Sequence, residues 1–441
     1  MSEQLILRSR RLKMKKVKIS LQTLLCCLFA FTMYLFLSPF YMWDTYRNGS
    51  LYLPLLLLAY VALAIMAAYV LLIYQKKPVS LNNYCILSII IFILLTIQMT
   101  WLTAGDVNPF SLDRWILVIY VVLFLLMPEN IKKTVFNQMV MWFIVLCLPS
   151  VLYWVFEMVG IHLGGTYLRA NHPLKAASGI YYTEYPLGLL IKGQWVITRP
   201  CGIFDEPGVL GTFAALFYSC SIGVKKKRLT NAALLLIGFL SMSLAFYILL
   251  IATIMVKYWN RGMKKAVFIT AALALLYFAF INIDFENEYI TNIQNRITIT
   301  AAGLGGMNRI GNGFEQAYSA FVNEGGLPLA VGYGYWAYAK VPSMASSAEI
   351  RCLIYDIGIV GMVLLGMFLL TMFKGISNSK WNLIFLSVFL LSMYQRPHIL
   401  SVTYMAVYIL GLTAFNNTDK SGFQLKTNKG RIWNIWERLV G

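Results

Sequence analysis

Two polar stretches in an otherwise apolar chain hold the residues that could do chemistry. Residues 160–207 carry Arg169, His172 and Arg199 and close on Glu206. Residues 284–347 carry Arg296 and Arg309, and Glu349 and Arg351 follow at the start of the next apolar run. A guanidinium presents paired planar donors that match phosphate or carboxylate oxygens. A carboxylate or imidazole at the same surface can accept a proton from an attacking hydroxyl. Arg199 and Arg309 therefore lead as anion binders, with Arg169, Arg296 and Arg351 behind them. Glu206 and Glu349 lead as bases, with His172 behind.

Each candidate also has a plainer account. Asp205 and Glu206 stand just before Pro207 and Gly208, and acids at a helix start are favoured by the helix dipole, so both suit a simple cap. Arg199 suits an interfacial anchor, and Arg309 suits the solvated end of a helix. Arg351 suits a structural pairing with Asp356, while Glu349 and Asp356, seven apart, share a helix face. The many tyrosines and tryptophans of residues 160–207 fit the aromatic belt of a membrane interface, although such rings also stack on sugars. Gly332-Tyr-Gly334 offers backbone able to approach a ligand closely.

The elements that position these residues are membrane spans. The chain is 59% hydrophobic and 12% charged, against about a quarter charged in a soluble domain. Its apolar runs are continuous, not alternating, which excludes a β-barrel. About twelve spans are expected, at 19–39, 51–74, 82–102, 114–127, 136–159, 208–224, 230–241, 243–257, 264–283, 348–373, 380–394 and 397–415. The fold class is an all-α polytopic membrane protein forming a single integral domain over residues 1–441.

The net charge of +19 lies in clusters beside the spans, as the positive-inside bias places them, and is no nucleic-acid signal. The basic stretch from Arg8 to Lys18 sets the N-terminus in the cytoplasm. Lys76, Lys77, Lys132, Lys133, the run 225–228, Lys257, Arg261, Lys264, Lys265, Lys374 and Lys380 all fall inside if 230–257 crosses twice, breaking near Ser241–Ser243. The two polar stretches are then outside. The basic stretch running into a full-length first span argues against a cleavable signal peptide. The basic tail 416–441 places Ile432, Trp433, Ile435, Trp436 and Leu439 among Lys429, Arg431 and Arg438, a pattern that suits the inner leaflet. Ile310, Phe314, Ala317, Tyr318 and Phe321 recur at helical spacing, which predicts an amphipathic helix led by Arg309 on the outer surface. Arg396 and His398 sit at the outer turn between the last two spans. Seven cysteines and three histidines are too scattered for a disulfide framework or metal site, and neither metal nor cofactor is expected. Intramembrane carboxylates and histidines are few, which argues against a proton-coupled transporter.

Three ordered stretches resemble the Wzy-type O-antigen polymerases of the O-antigen polymerase/ligase superfamily. Arg199-Pro-Cys-Gly-Ile-Phe-Asp-Glu-Pro-Gly208 resembles the family's Arg-x-x-Gly-x-Phe-x-(Glu/Asn)-Pro stretch leading into a span. Arg309 through Gly332-Tyr-Gly334 resembles its Arg-led amphipathic helix followed by Gly-x-Gly, and Ser346 through Gly358-Ile-Val-Gly361 its Gly-Ile-x-Gly span. They cover about the C-terminal half, and the N-terminal half matches in topology only. Ser346 or Ser347 stands where the family's ligases usually carry a histidine, which favours polymerase over ligase. The polymerases' Arg-x10-Gly pattern is met only approximately, since Arg199 to Gly211 is one residue too long and Arg296 to Gly306 is one too short.

The resemblance implies a fold like the GT-C-type membrane glycosyltransferases. It implies a bacterial inner-membrane enzyme whose site faces the periplasm. Undecaprenyl-pyrophosphate-linked oligosaccharides would be its substrates, with a chain-length regulator and a flippase as pathway partners. The chemistry implied is metal-independent glycosyl transfer with lipid pyrophosphate leaving. A ligase that hands glycan to lipid A core, or a polysaccharide flippase, is the alternative.

Overall fold

Runs of Leu, Ile, Val and Phe this long satisfy their backbone hydrogen bonds inside a bilayer only by coiling into helices. In the computed structural model they do so. It describes residues 21–37, 45–76, 82–105, 110, 112–169, 179–193, 196–222, 227–259, 263–284, 286, 290–291, 294, 298–300, 303–304, 312–341, 350–376, 380–396 and 398–414. The first helices are α1 (Leu21–Thr32), α2 (Thr45–Lys76), α3 (Asn83–Trp101), α4 (Leu112–Leu126) and α5 (Glu129–Met158). After a small sheet come α6 (Pro207–Ser221), α7 (Arg228–Leu240), α8 (Leu244–Trp259) and α9 (Met263–Asn282). The last group is α10 (Asn312–Glu324), α11 (Gly326–Val331), α12 (Ile350–Ile376), α13 (Lys380–Gln395) and α14 (Val402–Thr413).

Leu53–Gln75, Asn83–Trp101, Glu129–Met158 and Ile350–Gly375 are each long and apolar enough to cross a bilayer, and several shorter apolar helices accompany them. Leu53, Leu57, Val61 and Ile65 on one flank and Val363, Met367 and Leu370 on another are exposed. Apolar side chains in such rows are at ease only against lipid, and the molecule is a helical membrane protein.

Helix α14 is buried along its whole length and packs on α4, α5, α6, α12 and α13. Its central place explains why so short a helix, about 18 Å by its rise per residue, is viable: neighbours, not lipid, enclose it. Tyr408 of α14 donates to Leu369 O of α12 at 2.7 Å, and Thr403 to Met33 O after α1 at 2.6 Å. The long pairing of α3 with α12 includes a Ser88–Thr371 hydroxyl contact at 2.9 Å.

The two ends of the bundle differ in charge. At one end lie the start of α5 with Lys132 and Lys133, Lys227 bonded to Asn137 at 2.5 Å, and Lys374, next to which Gly375 O accepts from Asn82 at 3.2 Å. At the other lie the sheet, the 312–341 segment and the turn after α13. Helices α7 and α8 turn back on each other at the second end. Ser241 and Ser243 crowd Gly211 near the start of α6. Asn231 near the start of α7 meets Ser221 at the far end of α6, and Tyr258 near the end of α8 acts on Tyr218 there. The two helices thus run antiparallel on either side of the break that residues 241–243 supply.

The first long segment departs from an all-α reading. Residues 166–202 form a four-stranded antiparallel meander: β1 (Thr166–Arg169), β2 (Ile180–Tyr185), β3 (Gly188–Gly193) and β4 (Val196–Gly202). Ile180-Tyr-Tyr-Thr-Glu-Tyr185 is β-branched and aromatic, which suits a pleated surface. Pro186 and Leu187 make the two-residue turn that sets Tyr185 opposite Gly188. A short strand pair, β5 (Ile299–Thr300) and β6 (Gly303–Leu304), lies in the second long segment.

Candidate functional site

Strand β4 is held flat on α5, and this fixes the stretch that follows it. Gly202 N donates to Ser150 Oγ at 3.0 Å, and Trp154 Nε1 donates to Thr198 O at 2.8 Å. Gly202 has φ +65, and a Cβ there would lie 2.9 Å from Cys147 Sγ, so only glycine lets the strand come this close. Ile203 and Phe204 are buried behind it, with Phe204 stacked on Phe213 of α6 at 5.4 Å. Tyr182 donates to Asp205 O at 2.8 Å. The chain enters α6 with Glu206 at the cap position.

Glu206 does not cap with its side chain. Its Oε2 accepts from Arg396 Nη2 at 2.7 Å instead. The plain cap account of this residue is therefore set aside: helix start and carboxylate are neighbours, but the carboxylate turns towards a charge from the other end of the chain. Arg396 is 4% exposed and Glu206 36% exposed, so the pair stands at the edge of the packed interior. Burial opposes the charge on Arg396, and contact with Glu206, helped by Tyr404 and Asp205, more than offsets it. His398, two residues on, is lowered from 6.5 to about 4 by burial and by the positive charge of Arg396, against the opposing pull of Glu206. It is a neutral imidazole at pH 7, able to accept a proton or a hydrogen bond.

The centre keeps polar capacity in reserve. Arg396 Nε and Tyr404 Oη are buried without a hydrogen-bond partner among the described residues. Such orphans are rare in a finished interior and mark places where water or ligand completes the network. Arg199, from β4, reaches towards the α7–α8 break, with Nη1 3.5 Å from Met242 O. Met242 holds φ +48, an uncommon backbone for that residue. An aromatic wall borders the centre: Trp336 lies over His398 at 6.3 Å, near-parallel, and beside Tyr335 and Tyr338 at 6.0 and 5.7 Å.

The wall is held by a second charged residue. Helix α12 breaks at Gly358 (φ +62), and the 332–334 segment threads into the break. Gly334 N donates to Asp356 O at 2.8 Å, and Tyr333 N to Tyr355 O at 3.0 Å. A Cβ on Gly332 would lie 2.3 Å from Asp356 O, and one on Gly358 2.5 Å from Ala330 O. The two glycines are thus used for close approach between two parts of this chain. The Asp356 carboxylate accepts from Trp336 N at 2.9 Å and Tyr338 N at 3.0 Å. It thereby holds Trp336 at φ +60, a conformation that costs about 1–2 kcal/mol for a residue with a side chain.

Arg351 is placed differently from its simplest expectation. It pairs with Glu315 of α10 at 3.2 Å and lies over the Tyr318 ring at 5.7 Å, so the Arg351–Asp356 pairing gives way to these contacts. Phe314 and Phe321 of α10 are buried, and both rings contact Tyr355 of α12. Arg169 ends β1 opposite Tyr181. His172, Arg296, Arg309 and Glu349 lie outside the described residues.

Of the sequence candidates, the fold joins Glu206 to Arg396 and His398, two residues noted only as standing at an outer turn. Their partnership spans 190 residues of chain, and no local pattern encodes it. Among the described residues no three His, Cys, Asp or Glu side chains converge as metal ligands. Comparison of the chain with protein-family models, curated proteins and solved structures finds no match.

Proposed function

We propose that this protein polymerises undecaprenyl-pyrophosphate-linked oligosaccharide repeat units into O-antigen or a related surface polysaccharide at the periplasmic face of a bacterial inner membrane. The observation that carries the reading is buried Arg396 paired with part-exposed Glu206 beside a neutral His398, with a guanidinium and a phenol donor that no described residue answers. The ordered motifs around Arg199, Gly332 and Gly358 support it, as does a basic end opposite the loops, which suits about twelve spans with both termini inside.

In this reading the acceptor sugar's hydroxyl oxygen forms a bond to the anomeric carbon of the growing chain. The bond from that carbon to the diphosphate oxygen breaks, and the lipid diphosphate departs with the electron pair. Its negative charge needs fixed cations, a role given to Arg199 and Arg396 and, from the second long segment, Arg309. The hydroxyl proton passes to Glu206 or His398, the two groups of the centre with an oxygen or nitrogen able to accept it. The aromatic wall at Trp336 offers faces for sugar rings, and the exposed apolar flanks leave the lipid tail in the bilayer.

Replacing Arg199 in the native host tests this. Arg199→Ala is expected to leave an inserted protein but only single-repeat glycan, and Arg199→Lys to restore part of the ladder, since lysine keeps charge without planar geometry. Normal ladders from Arg199→Ala on a gel of extracted polysaccharide would sink the assignment. Lipid-linked polymer accumulating without transfer to lipid A core would mark a ligase instead. Lipid-linked repeats trapped on the cytoplasmic face would mark a flippase.

A further inference from the structure

Arg114 stands in the first turn of helix α4 at the loop end, and two of its guanidinium nitrogens meet no partner among the described residues. Its guanidinium carbon stands 3.9 Å from the centroid of the Tyr335 ring. Nε and Nη1 are buried, and neither has a hydrogen-bond partner among the described residues. Each buried donor left so carries a desolvation cost, and stacking on a tyrosine returns only part of it. Asp113 and Asp356 act on Arg114 through charge. The Asp356 oxygens, however, are engaged by the Trp336 and Tyr338 amides. A structural counter-ion would close with its carboxylate, and this one does not.

The ring under Arg114 is itself fixed. Tyr335 donates to Leu400 O at 2.9 Å, which ties it to the turn that carries Arg396 and His398. From Tyr335 the rings continue through Trp336 to His398. Arg114 thus stands at one end of a row of aromatic faces and the Arg396–Glu206 pair at the other. Cations bracketing a wall of rings suit a ligand that is both glycan and anion.

We propose that Arg114 is a second anion-binding residue of this site, taking a phosphate or carboxylate oxyanion with Nε and Nη1, which no described residue engages. The ligand's identity rests on the polymerase reading: the oxyanion comes either from the lipid diphosphate or from an acidic sugar of the glycan. Positioning by Tyr335 makes the guanidinium plane, and not charge alone, the recognising feature.

The test is binding to the purified full chain in nanodiscs of neutral lipid, with inorganic pyrophosphate and glucuronate as separate probes at fixed ionic strength. The wild type is expected to bind at least one. Arg114→Met should weaken that probe by about tenfold or more, and Arg114→Lys by less. Loss of pyrophosphate binding assigns the oxyanion to the diphosphate, and loss of glucuronate binding alone assigns it to the glycan. Affinities for both probes within about twofold of wild type in Arg114→Met overturn the proposal, as does a wild type that binds neither. Should Arg114→Met fail to fold, wild-type Arg114 is treated with an arginine-specific dicarbonyl and read by mass spectrometry. Protection by the bound probe is expected, and equal modification with and without it overturns the proposal. Polymerisation is not read in these assays, so intact ladders from Arg199→Ala would sink the polymerase reading while leaving the Arg114 result standing.

Discussion

Asp356 and Glu206 each bring a carboxylate to the loop end of the bundle, and the fold treats them in opposite ways. Asp356 is 4% exposed, and both its oxygens are taken by backbone amides of the segment threaded through the α12 break. Glycines at 332 and 358 let the backbones touch, and side-chain chemistry has no opening there. Glu206 is 36% exposed, faces a buried arginine and shares its surroundings with a phenol and a guanidinium nitrogen that no described residue answers. A closed polar network specifies geometry, whereas an open one is where a ligand is completed. The first centre is scaffold and the second is the site, and they meet at Trp336, whose backbone Asp356 holds and whose ring covers His398.

The contrast can be broken most severely at the scaffold. Gly332→Ala would set a Cβ 2.3 Å from Asp356 O at φ +75. Strain and overlap together should cost about 4 kcal/mol or more. The expected outcome is little folded protein by size-exclusion profile in detergent, and a stable Gly332→Ala protein would remove the interlock as the organising element. Next comes Arg396→Ala, which strands Glu206. Because Glu206 stays partly solvated the loss should be about 2 kcal/mol, below the range for fully buried pairs. Thermal unfolding in nanodiscs reads it, and glycan ladders should disappear in the folded fraction.

A milder probe is pH. His398 is lowered to about 4 in the folded state, against 6.5 when free. The unfolded chain therefore binds the extra proton first as pH falls below 6.5. Stability is full above that value and declines as pH drops towards 4, by about 1 kcal/mol between pH 7 and pH 5.5. His398→Asn should flatten this slope, and an unchanged slope would take the imidazole out of the centre. The smallest effect belongs to Arg351. Its partner Glu315 is 55% exposed and Arg351 itself 30%, so solvent screens the pair and Arg351→Ala should change stability by less than about 0.5 kcal/mol. A large loss of stability would extend the scaffold to helix α10.

The spans of the long helices were legible because hydropathy acts residue by residue and needs no partner. The break at Ser241–Ser243 was legible too, from charge alone, since basic clusters seek one side of a membrane. The sheet of residues 166–202 was not read, although Ile180-Tyr-Tyr-Thr-Glu-Tyr185 carries the β-branched and aromatic signal. Among so many interfacial aromatics that signal was absorbed into the aromatic belt. Arg199 and Glu206 were legible as candidates because charge next to a span is costly and conspicuous. Arg114 was passed over as the first residue of a span, since stacking on Tyr335, 221 positions later in the chain, leaves no local trace.

By itself, then, the sequence determined a helical membrane protein with two long polar segments that each carry arginines, because transfer of side chains between water and lipid depends only on composition and order. Tertiary structure alone decided that Glu206 meets Arg396 instead of capping its helix, that Asp356 binds backbone instead of Arg351, and that Gly332 serves packing. The first two outcomes are choices among available hydrogen-bond partners, and the third is a matter of space. Such choices are settled by which groups the packed helices bring within about 3 Å of one another.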